Sequence, residues 1–160
     1  MHGQEVVLNT RACLSCELVQ GKKQALGGTI LETTLFHAHQ DFAYPIPGLV
    51  ILASKRHFYC MDELSDTEAE ELVALLPSIR TAQRSQLGIE HVYYFYNEDT
   101  SHHFHVWMVP RYEWMHQFGK SVQAVRPSLL HSRDHMATPE NLAEVTRCVS
   151  VLRDALLPAA

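Results

Sequence analysis

Apolar and polar side chains alternate most clearly between residues 102 and 111. A period of two is typical of a β-strand, in which successive side chains point to opposite faces. One face of this strand would be apolar, as in a protein core. The other would hold two imidazoles and an indole in one row, with neighbours roughly 6.5–7 Å apart. The two sets are Phe104, Val106 and Met108 on the first face, and His103, His105 and Trp107 on the second.

Three other segments predict strands. Residues 49–53 form a continuous apolar run, which predicts a central strand covered on both faces. Residues 92–96 are β-branched and aromatic, and residues 29–39 predict two short strands around a turn. A short polar loop joins 92–96 to the histidine segment, so we expect these two strands to pair in an antiparallel manner.

Two helices have clear start signals in the sequence. Ser65 and Glu68 form a capping box, and leucine and isoleucine follow at helical spacing. Pro77 predicts a kink in this helix, and Gly88 predicts its end. Thr138, which a proline follows, predicts the start of the last helix.

Together these elements predict an α+β fold. We expect an antiparallel sheet of about five strands, one long central helix and a C-terminal helix, with the helices on one face of the sheet. Residues 120–137 predict no particular element. At 160 residues and 46% hydrophobic composition, the chain is expected to form a single domain over residues 1–160.

Composition narrows the class of function. Charged residues make up 19% of the chain and the net charge is −5, so no basic surface for duplex nucleic acid is expected. No apolar run is long enough to predict a membrane span, and the N-terminus lacks a signal-peptide pattern. We therefore expect a cytoplasmic protein whose four cysteines are reduced thiols.

Two groups of residues carry candidate chemistry. The row of His103, His105 and Trp107 suits one polyatomic substrate, a metal beside a reactive histidine, or a half-buried strand with hydrogen-bonded histidines. Cys13 and Cys16 form a CxxC pair, which suits one zinc ion, a redox pair, or two buried structural cysteines. The residues alone leave these interpretations open.

The histidine segment resembles the signature of the histidine triad superfamily of nucleotidyl hydrolases and transferases. That signature is His-x-His-x-His-x-x, often followed by Pro-Arg, and Pro110 and Arg111 match its end. Counted back from Pro110, the triad positions are His103, His105 and Trp107. A tryptophan therefore replaces the third histidine. The resemblance covers most of the chain, from the CxxC pair to this segment.

The resemblance implies a fold, a reaction and its residues. It implies an α+β fold that pairs into a homodimer, and hydrolysis or transfer at the α-phosphate of a nucleotide polyphosphate, as in diadenosine polyphosphate hydrolases. His105 matches the nucleophile, which would form a nucleotidyl-histidine intermediate, and His103 matches the first triad position. Asn97 and Thr100 match residues that contact phosphate.

Further residues are assigned in the same way. Asp41, seven residues before Gly48, matches the carboxylate that binds ribose hydroxyls, although it could simply start a turn. Trp107 would contact the leaving group in place of a histidine that protonates it. The resemblance to bacterial members also implies one structural zinc ion, with the ligands Cys13, Cys16, His57 and His103.

Two alternatives to the nucleotidyl hydrolase remain at this point. The first is a nucleotide-binding or zinc-stabilised module with little turnover. The second is a metal-dependent hydrolase that uses two histidine clusters, His37 with His39 and His102 with His103 and His105. The chain offers no carboxylates at ligand spacing beside these clusters. Turnover of a nucleotide polyphosphate without added metal would separate these three hypotheses.

Overall fold

A five-stranded antiparallel sheet forms the centre of the computed structural model, which describes residues 13–99 and 103–158. The strand order is β1-β2-β3-β5-β4, and every neighbouring pair is antiparallel. The strands are β1 (Thr29–Glu32), β2 (Phe36–His39), β3 (Val50–Ser54), β4 (Val92–Phe95) and β5 (His105–Pro110). The predicted α+β class and the number of strands are therefore confirmed.

Strand β3 is central, as its apolar run predicts. All five of its residues are buried, because the sheet is covered on both faces at this point. Its register with β5 places Ala53 opposite His105 and Ile51 opposite Trp107. The small side chain of Ala53 therefore lies beside the imidazole of His105 across the sheet.

In the part of the chain that the structure describes, four α-helices accompany the sheet: α1 (Leu14–Val19), α2 (Asp66–Leu87), α3 (Val122–His135) and α4 (Pro139–Leu156). The Ser65 hydroxyl accepts the N–H of Glu68 at the start of α2, and Gly88 ends this helix at φ 66°. Helix α2 continues through Pro77 as one element. Thr138 caps α4 as expected. No described helix combines the length and apolar character needed to cross a membrane.

The helices cover both faces of the sheet, so the expectation of helices on one face is wrong. One face carries the main core, in which Phe104, Val106 and Met108 pack with residues of α2 and α4. On the other face, Leu129 of α3 packs with Ile51 and Val109. The difference arises because the segment before α4, which predicted no element, forms helix α3. Two short 3₁₀ helices, Met61–Glu63 and Glu113–Phe118, also lie within the described residues.

Candidate functional site

Four side chains with metal-binding atoms converge at one end of β5. Cys13 and Cys16 come from the start of α1, His57 follows β3, and His103 precedes β5. The two imidazole Nδ1 atoms lie 3.1 Å apart. The Sγ atoms of Cys13 and Cys16 lie 3.3 and 3.6 Å from the Nδ1 atom of His103, and Cys16 Sγ lies 3.2 Å from the Nδ1 atom of His57. All four ligand atoms lie within 4.8 Å of one another.

The protonation states in this cluster suit a metal ion. The Nε2–H of His103 donates to the carbonyl oxygen of Ser54 at 2.6 Å, so the lone pair of its Nδ1 atom points to the cluster. Burial lowers the pKa of His103 to about 4, which keeps the ring neutral. Burial also raises the pKa of the Cys16 thiol to about 11, so its thiolate requires a nearby cation. Two sulfur and two nitrogen ligands fit tetrahedral zinc.

His105 is the first residue of β5 and lies next to this cluster in the chain. Its Nδ1–H donates to the carbonyl oxygen of His103 at 2.8 Å. A carbonyl oxygen only accepts, so Nδ1 carries the proton and Nε2 keeps its lone pair. The side chain is 7% exposed. The structure therefore fixes the orientation of the Nε2 lone pair of His105, through a hydrogen bond to the backbone of His103.

Two further histidines lie on the same sheet face. The sheet register aligns His37 with Ala53 and His105 in one row, and His39 with Ile51 and Trp107 in the next. The Nδ1–H of His39 donates to the carbonyl oxygen of Gln40 at 2.8 Å, and burial lowers the pKa of His39 to about 4. Both rings are 4% exposed.

A cavity of about 300 Å³ opens beside these two histidines, and we call it the β2 cavity. Helix α1 and the segment after it form the opposite wall with Leu18, Lys23 and Gln24. In the sequence, His37 and His39 form one of the two histidine clusters, and the resemblance assigns neither residue a role. Their alternation at i and i+2 in a predicted strand was the available signal, because it places both rings on one face.

Asp41 starts a turn at the end of β2. Its Oδ1 atom accepts the backbone N–H groups of Ala43 and Tyr44 at 2.8 and 2.9 Å. Burial raises the pKa of this carboxyl group. The turn-forming role is thus present in the structure, and binding of ribose stays a prediction.

The remaining predicted site residues lie towards β4. Asn97 is half-buried just after β4, whereas Thr100 lies outside the described residues. The Trp107 ring lies between the rings of Tyr44 and Phe95, with centroid distances of 5.9 and 5.7 Å. Within the described part of the chain, its Nε1 atom is buried with no hydrogen-bond partner.

Known structures share this fold. A zinc-bound histidine triad family protein from Mycobacterium smegmatis aligns with a TM-score of 0.66 and 21% identity, over 91% of this chain and 94% of its own. A hypothetical histidine triad nucleotide-binding protein from Sulfolobus tokodaii aligns with a TM-score of 0.66 and 16% identity, over 89% and 91%. A histidine triad (HIT) family hydrolase from Legionella pneumophila aligns with a TM-score of 0.51 and 20% identity, over 63% and 94%.

These likenesses show that the chain has the histidine triad fold. No protein-family model matches the sequence, and neither does any curated protein. The structural likeness agrees with the resemblance that the histidine segment carries in the sequence.

Proposed function

We propose that this protein is a nucleotidyl hydrolase or transferase that acts at the α-phosphate of a nucleotide polyphosphate. The observation that carries this proposal is the hydrogen bond from the Nδ1–H of His105 to the carbonyl oxygen of His103. It fixes the tautomer in which Nε2 is the nucleophile. The histidine triad fold and the hydrolase of the same fold from Legionella pneumophila support this proposal.

The reaction then has two displacements at phosphorus. His105 Nε2 forms an N–P bond while the P–O bond to the bridging oxygen breaks, and its electron pair leaves with the departing phosphate. Water next forms a P–O bond and releases a proton to solvent, while the N–P bond breaks and its electron pair returns to the neutral imidazole. Negative charge on the non-bridging oxygens requires fixed donors. We assign this role to Asn97 and, from the resemblance, to Thr100.

We propose that the β2 cavity binds the nucleoside of the nucleotidyl group that is transferred to His105. This cavity lies on the β1–β2 side of His105, and the adjacent turn holds Asp41. Because the Nδ1–H of His39 is bound to Gln40, its Nε2 atom is an acceptor that suits an amino or imino group of a base. We propose that Asp41 also contacts ribose, through the carboxylate oxygen that does not form the turn.

We propose that the cysteine–histidine cluster holds one structural zinc ion. The zinc-bound protein of the same fold from Mycobacterium smegmatis supports this assignment. Both ring nitrogens of His103 are engaged, one with Ser54 and one with the cluster, so we assign His103 to metal binding and not to proton transfer. A homodimer, which the resemblance implies, stays a prediction.

A test of the function replaces the nucleophile. We expect His105→Ala to lower turnover of dinucleoside polyphosphates by about 10³-fold or more, because no other imidazole occupies this position. Quenched wild-type enzyme should show a nucleotidyl adduct by intact mass spectrometry, and the variant should show none. His91→Ala, at an exposed site outside this sheet face, is the matched control. Wild-type turnover by His105→Ala would disprove the mechanism.

A nucleotide-binding module with little turnover is the second candidate. Trp107 favours it, because an indole N–H cannot release a proton near pH 7 and general acid catalysis is lost at this position. Binding of nucleotides without adduct formation or turnover would establish this module instead of the hydrolase.

A further inference from the structure

A second cavity lies on the opposite side of His105, between the sheet and helix α3. We call it the α3 cavity, and its volume is about 450 Å³. This volume lies within the range of small-molecule sites in proteins, which is about 300–1,000 Å³. Sheet residues form its floor and α3 forms its roof. Its lining includes Tyr44, Phe95, Trp107, Val125, Arg126 and Leu129.

The α3 cavity begins next to the proposed nucleophile. Trp107 follows His105 on the same strand face, and their ring centroids are 5.9 Å apart. Phe95 lies directly opposite Trp107 on β4. The β2 cavity lies across β3 from this pair, on the β1–β2 side. His105 therefore stands between two cavities, one on each side of the same sheet face.

The lining of the α3 cavity favours a ligand that has both a planar aromatic group and an anionic group. Its walls are aromatic and aliphatic, and the half-buried residues Tyr44, Phe95 and Trp107 are among those that line it. Planar aromatic groups stack favourably on such rings. Arg126 carries the only formal charge among the described residues that line this cavity. Its exposed guanidinium suits an anionic group such as phosphate.

We infer that the α3 cavity binds the leaving nucleotide of a dinucleoside polyphosphate, with its base against Trp107 and its phosphates towards Arg126. This inference rests on the proposed function and names its substrate class. The P–O bond that breaks leaves its electron pair on a phosphate of this nucleotide, which departs as a weakly basic anion. That departure needs no proton, so a tryptophan can occupy the third triad position and serve as a stacking surface.

Equilibrium binding separates this inference from the proposed function. The probes are a methylene-bridged dinucleoside triphosphate and the matching methylene-bridged nucleoside triphosphate, each with the four common bases. They differ by the second nucleoside, and neither is cleaved at the bridge. We expect wild-type protein to bind the dinucleotide about tenfold more tightly than the triphosphate, because one additional base stacks on an aromatic side chain.

Variants test whether the α3 cavity causes the tighter binding of the dinucleotide. Trp107→Leu should lower the ratio of the two affinities to about one, whereas Trp107→Phe should keep most of it because an aromatic ring remains. Arg126→Gln should weaken both probes by a similar factor, since both carry the phosphates. Arg133→Gln, an exposed charge change on the same helix outside the cavity, should alter neither affinity.

Each outcome decides between the hypotheses. A ratio near one in the wild type, with tight binding of the triphosphate, would overturn the second nucleotide site and leave the proposed function intact. An unchanged ratio in Trp107→Leu, shown by circular dichroism to be folded, would also overturn it. Failure of both probes to bind would overturn the proposed function together with this inference. Arg126→Gln changes an exposed residue and tests the phosphate position even if Trp107→Leu does not fold.

Discussion

The Nε2 atom of His105 keeps its lone pair because the Nδ1–H of the ring donates to the carbonyl oxygen of His103. The same arrangement recurs at His39, whose Nδ1–H is held by Gln40. Burial lowers the pKa values of His37, His39 and His103, so these imidazoles are neutral at pH 7. At the residue scale, this sheet face therefore offers nitrogen lone pairs as acceptors and ligands.

Trp107 is the residue where this chain departs most clearly from the triad pattern. A phosphate leaving group departs as a weakly basic anion, whereas an amine must leave with a proton. We therefore expect the wild type to accept nucleotide polyphosphates and to be poor with nucleoside phosphoramidates. Trp107→His should raise kcat/KM for phosphoramidates by up to about 10²-fold, since it restores an ionisable group.

Steady-state kinetics with both substrate classes checks this prediction, and Trp107→Phe is the control for loss of the indole without gain of a proton donor. Equal gains on both substrate classes in Trp107→His would contradict it. So would a wild-type enzyme that already prefers phosphoramidates, because another residue would then supply the proton.

At the scale of elements, an ion pair ties the segment after β3 to the start of α2. Arg56 contacts both carboxylate oxygens of Glu68, at 2.9 and 2.8 Å. The same carboxylate accepts the backbone N–H of Ser65 at 2.9 Å, within the capping box. Arg56 directly precedes His57, so this contact also holds a ligand of the metal cluster in position.

The carboxylate of Glu68 makes stability depend on pH in a defined direction. The hydrogen bonds from Arg56, together with the Ser65 N–H, lower its folded-state pKa from 4.5 to about 2. A lowered pKa stabilises the folded state above the unfolded-state value and loses this contribution as pH falls from about 4.5 towards 2. We expect Glu68→Gln to lower the free energy of unfolding at pH 7 by about 2 kcal/mol.

Urea denaturation at pH 7 and at pH 3 measures this effect. The difference between wild type and Glu68→Gln should shrink at pH 3, because the carboxylate of the unfolded state is then mostly protonated while that of the folded state is still ionised. Glu70→Gln, an exposed change on the same helix, should have little effect at either pH. A loss of stability that is equal at both pH values would show that the charge of Glu68 is not its cause.

Helices with clear end signals in the sequence could be predicted, and helices without them could not. Helix α2 was predictable because Ser65 and Gly88 mark its two ends. Helix α3 was not, because its buried positions carry mostly small or polar residues, which give no apolar period. These positions are Ala124, Ser128, Leu129 and Ser132. The α3 cavity was therefore also beyond sequence analysis, since α3 forms one of its walls.

The ligands of the cysteine–histidine cluster could also be predicted only in part from local signals in the sequence. Cys13 and Cys16 were visible as a pair, but their partners His57 and His103 lie 41 to 90 residues further along the chain. The residues alone left three interpretations of the pair, and only the resemblance to a family selected one. The structure brings the four ligand atoms together, which is what the resemblance implied.

At the scale of the whole molecule, the cluster joins three distant parts of the chain. It connects α1, the segment after β3 and the start of β5. Helix α1 has six residues, of which only Leu18 is buried, so packing alone holds it weakly. His103 also provides the carbonyl that orients His105. A metal ion in this cluster would therefore stabilise both the N-terminal segment and the position of His105.

Removal of zinc tests this role. A ligand that binds only the folded state raises the free energy of unfolding by roughly 3–4 kcal/mol when its free concentration is 100–1,000 times its dissociation constant. For a protein of this size, each kcal/mol shifts the thermal midpoint by about 2–4 °C. We expect a strong chelator to lower the wild-type thermal midpoint by about 6–16 °C, and excess zinc to restore it. Metal analysis of protein purified without chelator should give one zinc per chain.

Variants locate the effect at the cluster. Without any chelator, Cys16→Ser should already have the low thermal midpoint of the chelated wild type, because it lacks one thiolate ligand. Addition of chelator should not lower its midpoint further. Cys60→Ser, a half-buried thiol outside the cluster, should respond as the wild type does. Because His103 joins the cluster to His105, chelated protein should also lose turnover in parallel with the loss of zinc. A chelated protein with unchanged midpoint and full turnover would show that the fold and the position of His105 do not depend on metal.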